Sequence, residues 1–116
     1  MTVQNILKVK GDGAIVTVPP TASLSEVAQV LSARRIGAVV VSEDGQRPLG
    51  ILSERDIVRE LGRRGVSCMS DPVTKVMTSK LVTCTKADRA TEVMQKMTDG
   101  RFRHMPVMDG EVMVGF

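Results

Sequence analysis

Aromatic side chains are almost missing from this sequence: its 116 residues include two Phe and neither Tyr nor Trp. A platform that stacks the bases of single-stranded nucleic acid needs exposed rings, and this chain has too few to build one. The core must instead be aliphatic, filled by Val, Ile, Leu and eight Met. Histidine and cysteine are equally scarce. One His with Cys68 and Cys84 cannot make an isolated four-ligand zinc site, so no metal is expected and the thiols read as a reduced pair. No apolar run approaches a membrane span, and the N-terminus has no signal-peptide pattern, so the chain reads as soluble and cytoplasmic. A strong excess of one charge is also lacking. The net charge of +3, from 16 basic and 13 acidic residues, suits an anionic small ligand or weak nucleic-acid contact without demanding either. No G-x-x-x-x-G-K-[ST] loop occurs, and Gly11-Asp12-Gly13 lacks a third glycine and precedes its strand, so it reads as a turn. His104 has no evident nucleophile beside it in sequence, and an enzyme is not expected.

What the chain does have is a repeat. Shifted by 66 residues, the stretch from Ala14 falls on the stretch from Lys80. Thr17 meets Thr83, Glu26 meets Glu92, Val27 meets Val93, Arg35 meets Arg101 and Val41 meets Val107. One deletion in the next loop brings Gly50-Ile51 onto Gly115-Phe116. Within the first copy, the β-rich run Ile15–Val18 is stopped by Pro19-Pro20. Ser23 then precedes Leu24, Val27, Ala28 and Leu31, apolar at helical spacing. Ala38–Val41 reads as a buried strand, SEDGQRP as a hairpin loop and Leu49–Leu52 as the returning strand. Ser53 opens a second helix carrying Ile57, Val58 and Leu61, which ends near Gly62–Gly65. A linker with a short helical turn at Val73–Met77 leads to the second copy, where Met94 and Met97 read as core. The order is β-α-β-β-α, repeated in a second copy that has no counterpart of Ser53–Arg64, with the first repeat over 1–66 and the linker and second repeat over 67–116. The second copy stops where its returning strand should run, so the native protein is expected to continue.

GILSERD, Gly50 to Asp56, is the stretch that carries chemistry. Ser-x-x-Asp at a helix start is a capping box. A helix start also presents backbone N–H groups and a positive dipole end, which suit a phosphate. The Ser53 hydroxyl could add a donor, Asp56 two acceptor oxygens suited to a ribose diol, and Gly50 room for close backbone approach. Cap and binding site are compatible readings.

The tandem element order, the GILSERDIVREL ending and the segment RFRHMPVMDGEVMVGF together resemble a CBS-domain pair, from Ile6 to Phe116. The resemblance implies an α/β (α+β type) fold in which two repeats pack about a pseudo-twofold axis, forming a regulatory, non-catalytic module. It implies clefts that bind adenosine-containing ligands (AMP, ADP, ATP or, less often, S-adenosylmethionine or NAD(H)) and association into homodimers. By that resemblance Ser53 matches a phosphate-contacting position and Asp56 a ribose-contacting one. Arg103 and His104 match positions that reach phosphates in the cleft the two repeats are expected to share, with Met105 and Pro106 shaping the pocket. Arg55 could stabilise phosphates from the first helical turn. Thr17, Val18, Ile36, Gly37 and Ala38 are the matching candidates for an adenine slot. The alternative is an interaction or nucleic-acid surface on Arg55, Arg59, Arg63 and Arg64, a basic stripe diluted by Glu54 and Glu60.

Overall fold

The computed structural model describes residues 1–10 and 15–116, so Gly11-Asp12-Gly13 lies outside the described residues. Five α-helices and strands of the first repeat follow the expected order: β1 (Thr17–Val18), α2 (Leu24–Arg34), β2 (Ala38–Val41), β3 (Gly50–Ser53) and α3 (Glu54–Arg64). They are preceded by a helix, α1 (Val3–Lys10), and followed by 3-10 turns at Val66–Ser70 and Val73–Lys75. The second repeat gives α4 (Ala90–Gly100), β4 (Val107–Asp109) and β5 (Val112–Gly115).

The chain divides into two compact units, Val16–Lys80 and Met1–Ile15 with Leu81–Phe116. In the first of these, β1 runs parallel to β2, and β2 pairs antiparallel with β3 from Ala38↔Ser53 to Val41↔Gly50. All four β2 residues are buried, so a short unbroken apolar run forms the central strand. Leu24, Val27 and Leu31 of α2 pack on it with Leu52, Ile57 and Val73. α3 contributes Ile57 and Leu61 to this core, whereas Val58 points outward at 66% exposure. Its Glu60 is buried and held by Arg63 and Arg64, and Arg64 also reaches Asp71, which ties the helix end to the following turn.

The other unit has a smaller core of Val3, Cys84, Val93, Met105 and Val107, flanked by Leu7, Met97 and Phe102. Met94 does not belong to it: the core face of α4 runs through Ala90, Val93 and Met97, which leaves Met94 64% exposed and corrects the expectation that it is core.

The sheet registers carry the 66-residue repeat into three dimensions. Val41 pairs with Gly50, and Val107 pairs with Gly115. The amide of Ser42 donates to Val18 and that of Met108 to Cys84, at 2.9 and 2.8 Å. Arg35 and Arg101 both adopt left-handed backbone and close α2 and α4 by donating to carbonyls in the preceding turn. One bond of the first copy has no image. Val40 donates to Val16, but its counterpart is Pro106, which has no N–H. The parallel pairing of the second copy therefore shrinks to a single bridge, Cys84↔Val107. β4 begins at Val107, which pairs with Gly115 of β5.

The segments leading into the two repeats are also alike, a feature the sequence comparison missed. Leu24 donates to Asp71 and Val73 to Ala22; Ala90 donates to Met1 and Val3 to Asp88. Met1–Val3 thus serves the helix of the second repeat as Asp71–Val73 serves that of the first, and α1 packs on α4.

Candidate functional site

Ser53 is the last residue of β3 and the N-cap of α3, with extended backbone (φ −110°, ψ 164°). The capping box is complete. Ser53 Oγ accepts from the Asp56 amide at 3.3 Å, and Asp56 Oδ2 accepts from the Ser53 amide at 2.9 Å and the Ser53 hydroxyl at 3.0 Å. Asp56 Oδ1 accepts from Arg59 Nη2 at 2.7 Å. The Asp56 side chain is only 12% exposed, so these contacts keep a nearly buried carboxylate satisfied. Of the first-turn amides, that of Glu54 donates to the Gly37 carbonyl at 2.9 Å and that of Asp56 to the Ser53 hydroxyl.

The ladder decides which expected residues meet. Ala38 pairs with Ser53, and Gly37 bonds to Glu54, so Gly37 and Ala38 lie at the start of the helix that carries Arg55 and Asp56. Thr17 and Val18 pair with Val40 and Val41, and Gly50 also pairs with Val41. These three sit at the hairpin-loop end of the ladder, about 7–10 Å along the strands from Ser53. Gly50 does lack space for a side chain, but the occupant is internal. An added Cβ would lie 2.5 Å from Met77 Sδ and 3.0 Å from the Thr78 carbonyl oxygen.

Next to Gly37 lies an open cavity of about 450 Å³ between α2 and α3, apolar along Ala28, Leu31, Ile36 and Ile57 and rimmed by Arg35 and Glu54. It takes in Ile36 and Gly37 of the expected residues but neither Ser53 nor Asp56.

In the other unit, Arg103 is exposed, and His104 is half-buried with its ring stacked on Phe116 at 5.4 Å. Met105 and Pro106 are buried and belong to the framework of that unit. The basic stripe of α3 is largely neutralised: Arg59 pairs with Asp56, Arg63 with Glu60, and Arg64 with Glu60 and Asp71. Arg59 is the residue of this site that sequence reading placed elsewhere, although its i, i+3 spacing from Asp56 was the available signal. Among the described residues no three His, Cys, Asp or Glu side chains gather as metal ligands, and no helix is long and apolar enough to cross a membrane.

Comparison with known proteins gives consistent matches. The CBS domain family profile matches residues 13–63 and again 73–116. The Arabidopsis thaliana CBS domain-containing protein CBSCBSPB5 is 37% identical over 97 residues, which is 83% of this chain but 18% of that protein. The chain thus spans under a fifth of that curated relative. The crystal structure of a CBS-domain containing protein from Agrobacterium tumefaciens is 38% identical with a TM-score of 0.90, covering 97% of this chain and 90% of that one. A CBS domain protein from Pyrobaculum aerophilum, solved complexed with AMP, is 28% identical with a TM-score of 0.84, covering 99% and 85%.

Proposed function

This chain belongs to the CBS-domain family as a tandem pair, and from that premise we propose that it is a regulatory module that binds an adenosine nucleotide at the start of α3. The observation that carries the reading is the Ser53–Asp56 box, which holds a hydroxyl and a carboxylate together in the first turn of α3, close to the small residues Gly37 and Ala38. Ser53 is the proposed phosphate contact and Asp56 the proposed ribose contact. Gly37 and Ala38, being small, are the proposed place for a flat ring against the strand, with Ile36 as its apolar side. Arg55, exposed in the first turn of α3, adds positive charge toward a phosphate. Arg103 and His104 are the proposed phosphate contacts of the second repeat. The AMP bound by the Pyrobaculum aerophilum protein supports the adenosine class of ligand.

A ligand of this kind regulates only if it binds one arrangement of the module better than another. Thermal melting with AMP, ADP, ATP and NADH is the direct test, since a ligand at about 100 times its Kd stabilises by about 2.7 kcal/mol. A rise in Tm with at least one of the four is expected. No shift with any of them at millimolar concentration would reject the reading. The basic-stripe alternative is disfavoured by the pairing of Arg59, Arg63 and Arg64 with carboxylates of their own helix and the adjoining turn.

A further inference from the structure

We propose that Arg59 sets the affinity of this site by competing with the ribose for Asp56; the inference rests on the reading of Asp56 as the ribose contact. A carboxylate has about four lone-pair positions. Asp56 already accepts from the Ser53 amide and hydroxyl through Oδ2 and from Arg59 through Oδ1. A ribose diol needs two positions, so one of these donors must leave. The Ser53 amide is fixed by the cap, and removing its acceptor would strand a backbone donor at the end of the strand. The Ser53 hydroxyl has one proton, which a phosphate would draw away, but with a neutral nucleoside it stays directed at Asp56. Arg59 is different: its side chain is 58% exposed and can turn to water when a ligand takes its place on Asp56. Arg59 is therefore the donor that the second ribose hydroxyl displaces.

The consequence is a ligand affinity lowered by the strength of the Arg59–Asp56 pair. Salt screens such a pair. A neutral nucleoside should then bind the native protein more tightly as salt rises, the reverse of what a phosphate contact produces.

The experiment is calorimetric titration of the full chain with adenosine and with AMP, at low and high salt, for wild type, Arg59→Met, Arg59→Lys and Asp56→Ala. Arg59→Met is expected to tighten adenosine binding by about two- to fivefold, the range of an exposed ion pair. It should also abolish the rise of adenosine affinity with salt, while Arg59→Lys stays near wild type. Equal or weaker adenosine binding by Arg59→Met, or a wild-type adenosine affinity indifferent to salt, would overturn the role of Arg59. If Asp56→Ala still abolished binding, the ribose contact would stand without it. Failure of wild type to bind either probe would overturn both proposals together. The wild-type salt series needs no variant, so the test survives a substitution that disturbs folding.

Discussion

A methyl group added at Gly50 would meet the Met77 side chain at 2.5 and 2.8 Å and the Thr78 carbonyl at 3.0 Å. The sulfur can move, but the carbonyl is held, because Thr78 and Ile51 exchange both of their backbone hydrogen bonds. Gly50→Ala is therefore expected to destabilise by about 1–3 kcal/mol, and adding Met77→Ala should recover only part of that. Urea denaturation of the single and double variants measures this; full recovery would show that Thr78 imposes nothing. Asp44 is a second residue with a defined task. In the hairpin loop its carboxylate accepts from the Arg47 and Gln46 amides at 2.9 and 2.8 Å, and these bonds, with that from Ser42, hold it below the ordinary value of 3.8. A depressed carboxylate contributes stability that is present above 3.8 and is lost as pH falls through the lower folded value. The Tm gap between wild type and Asp44→Ala should therefore be full at neutral pH and shrink only below 3.8. A gap that stays constant through that range would show that the charge is irrelevant.

At the scale of elements, the first repeat was legible almost residue by residue. Ser23 and Ser53 announced α2 and α3, Ala38–Val41 announced the buried strand, and both serines cap as expected. These signals are local, which is why they could be read. The capping box at Ser53 was equally visible; its second partner, Arg59, was not, because a basic stripe hides its acidic neighbours when counted as charge. The second repeat was read less well. Pro106 removes the donor that matches the Val40 amide of the first copy, a loss that matters only once the parallel neighbour is known. The docking of Met1–Val3 on the second repeat was not legible at all. It depends on backbone bonds to Asp88 and Ala90, which no periodicity reports. Val3 and Val73 are the buried side chains of the two equivalent segments. Val3→Ala and Val73→Ala should each cost about 1–3 kcal/mol in equilibrium unfolding. A neutral Val3→Ala would mean that the N-terminal segment does not contribute to the core.

For the molecule as a whole, the repeat provides two related units, while the chemistry described for a nucleotide is concentrated at one helix start. In the first unit, a strand end, a complete cap and two small residues converge. That convergence follows from the antiparallel register of β2 and β3, which sets Ala38 opposite Ser53, so the fold itself brings these residues together. Family membership fixes the architecture and leaves the ligand of this particular chain to its own side chains. The central claim is that Asp56 holds the ribose of an adenosine nucleotide, beyond its work in the cap. Removing the carboxylate takes away the acceptor of the Ser53 amide and is expected to cost about 1–3 kcal/mol of stability. The decisive measurement is calorimetric titration of AMP into wild type and Asp56→Ala, with circular dichroism to verify that both are folded. Saturable binding to wild type and a loss of tenfold or more (about 1.4 kcal/mol) in the variant is the predicted result; equal affinity in the two proteins would contradict it.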